Sequence, residues 1–174
     1  MGWISRTQPV SAVSRAGGLG IIETSSGETE NCQAEIAKMS ALKLPFGVNL
    51  PIRFLKDDAM LKFACASGVK FVTTTSAGSP AKFIAQLKDA GITVYHAVPT
   101  VDTTMKCADA GIDGLMVEGS EGGGFKNPKK SPPYRNRLTL AEQHSRSWRA
   151  GGGCWRRRLV EPVRFDSFWR LLHI

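Results

Sequence analysis

Apolar and polar positions along this chain are grouped in blocks. Four times in the first 125 residues, a segment with helical spacing of apolar positions runs into a glycine and then into a short apolar stretch. "VSRAGGLGII" does so at Gly17 and Gly18, "FACASGVKFVTTT" at Gly68, "QLKDAGITVYHAV" at Gly91 and "KCADAGIDGLMVEG" at Gly111. Glycine takes the left-handed conformation that ends a helix. An apolar run without polar alternation fits a strand covered on both faces. Gly68 and Gly91 are 23 residues apart, and Gly91 and Gly111 are 20 apart. That is the length of one helix, one strand and two short loops.

The pattern predicts strands over 19–22, 46–49, 71–74, 93–96 and 114–117. It predicts helices over 10–16, 29–42, 56–66, 80–89 and 103–110. Ser79 and Pro80 suit the N-cap and first helical position of the fourth helix. Helices alternating with strands imply an α/β fold, a parallel sheet joined by right-handed crossovers. An open doubly wound sheet and a (β/α)8 TIM barrel both satisfy that rule. The near-even repeat favours the barrel, incomplete here at about five strands.

Composition changes this picture in one place. The net charge of +8 is not spread along the 174 residues. Residues 1–125 hold 11 Lys+Arg and 12 Asp+Glu, whereas residues 126–174 hold 12 and 3. A near-neutral globular segment is followed by a basic tail. Cys32, Cys65, Cys107 and Cys154 form no CxxC pair and read as small buried hydrophobes in a reducing compartment. Neither a metal centre nor a disulfide framework is expected. No run approaches the length of a membrane span, and a cytoplasmic protein is expected.

Chemistry in parallel α/β folds collects at the C-terminal ends of the strands. Those ends read "GVNLP", "TTTSAGSP", "YHAVPT" and "VEGSEGGGF". Asn49 can donate and accept toward a planar heteroaromatic ligand, or be a turn residue before Pro51. Thr73, Thr74, Thr75 and Ser76 can line a polar pocket, or fill a strand and cap a helix. His96 can be a ligand or a structural histidine. Glu118 ends an apolar run and is followed by Gly119, Gly122, Gly123 and Gly124. Glycine N–H groups there can approach a ligand and form an anion-binding nest, or the stretch can be a surface linker. "GGLG" follows a helix and enters a strand, the reverse of a dinucleotide fingerprint, and reads as a cap.

"SRAGGLGII", "PFGVNLP", "TSAGSP", "LKDAGITVYHAVPTV" and "CADAGIDGLMVEGSEGGG" resemble, in order and spacing, the nitronate monooxygenase family, formerly called 2-nitropropane dioxygenases. The resemblance covers residues 1–128. It implies a partial FMN-binding TIM barrel whose substrates are an alkyl nitronate and dioxygen. It also implies a flavin site at Asn49, Thr75, His96, Glu118, Gly122, Gly123 and Gly124. Asn49 matches the family's flavin-contacting Asn, and Gly123 a glycine whose backbone touches the flavin. Glu118 stands where many members have Gln. Phe125 stands where many have the His taken as base, so no catalytic residue is assigned. A carbanionic nitronate needs no deprotonation, so Phe125 is compatible with nitronate oxidation and disfavours neutral nitroalkanes.

Two further departures concern the ends. Met1-Gly2-Trp3 resembles the stump of the motif that ends the family's first strand. The two last strands, which carry the FMN phosphate site in that family, do not appear, so weak FMN binding or none is expected. From residue 129 the βα rhythm gives way to a segment rich in Arg and Trp, with Arg156-Arg157-Arg158, Trp148, Trp155 and Trp169. It is expected to be irregular and not to complete the barrel. A reading-frame slip near Lys129 is expected to account for it, rather than a nucleic-acid arm. Two other functions stay open: an NAD(P)H-dependent flavin reductase of the enoyl-ACP reductase type, and a non-catalytic fragment with a basic binding tail.

Overall fold

The computed structural model describes residues 2–55, 58–75, 81–98, 103, 106, 107 and 109–117. The chain enters through helix α1 (Thr7–Arg15) and then alternates: β1 (Gly20–Glu23), α2 (Thr29–Ala41), β2 (Phe46–Pro51), α3 (Ala59–Ala66), β3 (Phe71–Thr75), α4 (Ala81–Asp89), β4 (Thr93–Val98) and β5 (Gly114–Val117). A single 3-10 turn, Ile52–Phe54, leaves β2. Between β4 and β5, Thr103, Lys106, Cys107 and Asp109 are helical.

The glycine repeat is the helix-ending device that the sequence suggests. Gly17, Gly68, Gly91 and Gly111 all have φ between 70° and 84°. At Gly17 the cap is complete: Gly17 N–H donates to Ser14 O and Gly18 N–H to Val13 O. Ile92 N–H donates to Leu87 O in the same way after α4. Each satisfies carbonyls that the helix end would otherwise leave unpaired.

All four strand pairs are parallel, and the sheet order is β1-β2-β3-β4-β5. That order decides between the two architectures. A doubly wound sheet reverses direction at a switch point. Here every crossover steps one place the same way. Right-handed crossovers then put every helix on one face, and α1 packs on α2, α2 on α3 and α3 on α4. A parallel sheet wound in one sense, with helices outside and a concave face inside, is part of a (β/α)8 barrel.

The register identifies the two faces. Ile22, Val48, Val72 and Val94 lie in one row across four strands, each 0% exposed. They pack under Val10 of α1, Ile36 and Met39 of α2, Leu61 of α3, and Ile84 and Leu87 of α4. This is the helix-facing core, and each such side chain contributes about 2 kcal/mol of transfer free energy. The alternate residues, Ile21, Gly47, Phe71 and Thr93, then Glu23, Asn49, Thr73, Tyr95 and Gly114, form two rows on the concave face. Phe71 and Tyr95 pack at 5.1 Å between ring centroids. Gly114 makes room for the Tyr95 ring, since a Cβ there would lie 2.5 Å from Tyr95 Cζ.

Several boundaries differ from expectation. Helix α1 starts at Thr7 rather than 10, because Glu35 Oε2 accepts the Thr7 N–H at 2.8 Å and supplies a cap from the next helix. β1 ends at Glu23 rather than 22, and β2, β3 and β4 each run on past their expected ends. Helix α3 begins at Ala59 rather than 56, with the 3-10 turn ahead of it. The outer edge of β1 is not bare: Glu23 N–H donates to Ser5 O, and Ser5 Oγ donates to Ile21 O. The segment 129–174 lies outside the described residues.

Candidate functional site

Two of the site residues named from sequence come together. Asn49 and Thr73 are partners in register, and Thr73 Oγ1 donates to Asn49 Oδ1 at 3.0 Å. Thr75 lies two residues on along β3, so it shares their face, one layer nearer the C-terminal end. Asn49 and Thr75 are half-buried, whereas Thr73 is buried. The Asn49 backbone is fixed as well, because Thr24 Oγ1 donates to its carbonyl at 2.7 Å. With Oδ1 engaged by Thr73, the Asn49 Nδ2 amide has no partner among the described residues. A half-buried donor in the row of Tyr95, one layer above Phe71, suits the acceptor atoms of a flat heterocycle. The residues present therefore fit a flavin ring.

His96 is not brought into this group. It registers with Thr74, and both lie on the helix-facing side of the sheet, each 1% exposed. Thr74 Oγ1 is 2.8 Å from His96 Nδ1 and 3.3 Å from Tyr95 O. The hydroxyl and the ring therefore share a hydrogen bond whose donor is set by the ring tautomer. The strand alternation explains the placement: Val94, His96 and Val98 share one face, whereas Thr93, Tyr95 and Ala97 share the other. Glu118, Gly122, Gly123, Gly124 and Phe125 lie outside the described residues.

The residue that sequence reasoning missed is Glu23. It closes β1 in the same concave row as Asn49 and is only 2% exposed. Its Oε1 accepts the Trp3 N–H at 2.9 Å and lies 3.1 Å from Arg6. Its Oε2 accepts the Ser25 N–H at 2.7 Å and the Ser25 hydroxyl at 2.8 Å. Burial pushes this carboxyl up, but the bonds from Ser25 and Trp3 and the charge of Arg6 together hold it below its ordinary value. Arg6 in turn reaches Cys32 Sγ, Ser26 Oγ and Glu28. A carboxylate immediately after "GII" was the available signal. It is bonded to an N–H twenty positions earlier, and that pairing is not visible in a linear pattern.

Among the described residues no group of metal-ligating side chains occurs, and no helix is long and apolar enough to cross a membrane.

Fold and site thus define a parallel barrel protein with a polar face at its C-terminal strand ends. The chain belongs to the nitronate monooxygenase family: the family's sequence profile, described as "Nitronate monooxygenase", matches residues 1–64 and 56–163. The second match reaches into the basic segment. Curated relatives include (3aS,4S,5R,7aS)-5-hydroxy-7a-methyl-1-oxo-octahydro-1H-indene-4-carboxyl-CoA dehydrogenases. The one from Mycobacterium tuberculosis is 33% identical over 129 residues, and the one from Rhodococcus jostii 30%. Each alignment covers 74% of this chain and 36% of the relative. A probable nitronate monooxygenase of Staphylococcus haemolyticus is 29% identical, covering 67% of this chain and 43% of the relative. Among solved structures, FabK from Thermotoga maritima superposes with a TM-score of 0.72 at 30% identity, covering 84% of this chain and 45% of that one. Nitroalkane oxidase from Streptomyces ansochromogenes shares the fold, with a TM-score of 0.70 at 22% identity, covering 84% and 53%. The chain spans about a third of the length of the first two curated relatives.

Proposed function

We propose that this chain carries the flavin-binding part of an oxidoreductase that uses FMN and dioxygen to oxidise alkyl nitronates. The observation that supports the reading best is the Asn49 amide, held by Thr73 on the concave face at the strand ends, in a chain of the nitronate monooxygenase family. FMN, when bound, supplies the electron acceptor and the reaction with dioxygen. The chain supplies position and dryness. Asn49 would donate to a heteroatom of the ring, with Thr75 one layer further along the same face. Phe71, one layer below Asn49, and Tyr95, in the Asn49 row, pack against each other and would help to keep water from the site. Glu118, Gly122, Gly123 and Gly124, which the family resemblance marks as flavin-contacting, belong to the same proposal. A nitronate is already a carbanion, so the position of Phe125 needs no base. Residues 1–128 are the barrel part in this reading, and 129–174 lie outside it.

One observation favours a second reading, a flavin-dependent dehydrogenase or NAD(P)H-dependent reductase. Two curated relatives at 33% and 30% identity are CoA-thioester dehydrogenases, against 29% for the nitronate monooxygenase. Oxygen uptake separates the two. Purified protein with added FMN and propyl-2-nitronate is expected to consume dioxygen without NADH. Flavin-dependent NADH oxidation with no nitronate-dependent oxygen uptake would overturn the first reading in favour of the second.

A further inference from the structure

We propose that Glu23 is a positioning residue for the flavin face, holding the entry segment so that Trp3 forms its rim; this rests on the flavin reading above. Trp3 has φ of 59°, a left-handed conformation that is uncommon for a bulky residue and persists only where surroundings impose it. The imposing contact is the Glu23 carboxylate, which takes the Trp3 N–H at 2.9 Å. Because Glu23 stands beside Asn49 on the concave row, that bond fixes the Trp3 backbone at the edge of the candidate site. The segment is pinned further along by Ser5 on the β1 edge and by Arg6 on Glu23.

The carboxylate has no slack. Both oxygens are engaged, by two backbone N–H groups, one hydroxyl and one guanidinium. Its four partners come from residues 3, 6 and 25, so one buried charge joins the entry segment to the loop that follows β1. Burying a carboxylate is costly unless it is so paired. Trp3 and Ile4 meanwhile remain 59% and 61% exposed. The arrangement spends buried polar contacts on holding two exposed apolar side chains.

The test uses the full chain with Trp148, Trp155 and Trp169 changed to Phe, which leaves Trp3 as the sole indole among the four tryptophans. FMN binding is read by the polarisation of FMN fluorescence, and the Trp3–flavin approach by quenching of indole emission. Both signals are expected to saturate together. Glu23→Gln is expected to weaken FMN binding about fivefold, the scale of one lost hydrogen bond, and to reduce the quenching at saturation, with the circular dichroism spectrum unchanged. If Glu23→Gln does not fold, Ser25→Ala, which removes one of the four partners, is expected to shift both signals in the same direction. Polarisation that saturates in every variant, with quenching and affinity untouched by either change, overturns the role of Glu23 and leaves the flavin reading standing. Polarisation that stays flat in the parent overturns the flavin reading and this inference with it.

Discussion

Glu35 links the first two helices, and its protonation should be legible as lost stability. It sits on α2 and reaches the start of α1, where Oε2 accepts the Thr7 N–H at 2.8 Å and its own carbonyl accepts the Thr7 hydroxyl at 3.2 Å. Lys38 Nζ lies 2.6 Å from Oε1. Burial pushes the carboxyl up, but the bonds from Lys38 and Thr7 outweigh it and bring it from 4.5 down to about 2. At ~1.4 kcal/mol per unit, that drop corresponds to roughly 3 kcal/mol. The Lys38 side chain is 62% exposed against 11% for Glu35, so water screens part of it and about 1–2 kcal/mol is the expected net. The folded-state value lies below the unfolded one. The stabilisation is therefore full above pH 4.5 and is lost as the pH falls toward 2. Glu35→Gln keeps the shape and an acceptor but cannot ionise. Urea unfolding at a series of pH values is expected to show the variant less stable by about 1–2 kcal/mol at pH 6, with the gap closing near pH 2.5. A gap of the same size at both ends would refute the electrostatic origin.

Gly114→Ala places a methyl 2.5 Å from the Tyr95 ring and is expected to cost about 1–3 kcal/mol through overpacking, read as a lowered melting temperature; an unchanged melting temperature would mean the Tyr95 ring is not packed over Gly114 as described. Burial pushes the Cys107 thiol up to about 11, and the side chain is 0% exposed. A thiol reagent at pH 8 is expected to label it only after unfolding, since about one molecule in a thousand is then thiolate. Labelling in the native protein at the rate of a free cysteine would contradict its burial in the helix-facing core.

The fold was legible because its signals are local. A glycine cap after a helix and an apolar run after the cap need only neighbours in sequence, and Gly17, Gly68, Gly91 and Gly111 took the conformation expected of them. The choice of barrel over doubly wound sheet was not local. It depended on which strand lies beside which, and only the order β1-β2-β3-β4-β5 resolves it. At β1 and β3 the strand runs past its expected end for a related reason. Glu23 and Thr75 are polar, and a polar residue closing an apolar run reads as the first of a loop. In the barrel such residues finish the strand on the concave face. His96 shows the reverse difficulty. Its position at a strand end suggested chemistry, but the two-residue alternation carries it to the same face as Val94 and Val98. The pairing of Glu23 with Trp3 and Arg6 joins parts of the chain that no periodicity connects.

The central claim is that the row holding Asn49 recognises a flavin ring. An isoalloxazine of about 18 non-hydrogen atoms, bound at ~0.3 kcal/mol per atom, yields roughly 5 kcal/mol, a dissociation constant near 0.1 mM. The direct measurement is the polarisation of FMN fluorescence as the protein is titrated to millimolar concentration, with riboflavin in parallel and Asn49→Ala as the comparison. The expected result is saturable binding of both flavins in that range, weakened about fivefold or more by Asn49→Ala while the helical signal is retained. A flat titration, or saturable binding that Asn49→Ala leaves unchanged, would contradict the assignment of this face as the flavin site.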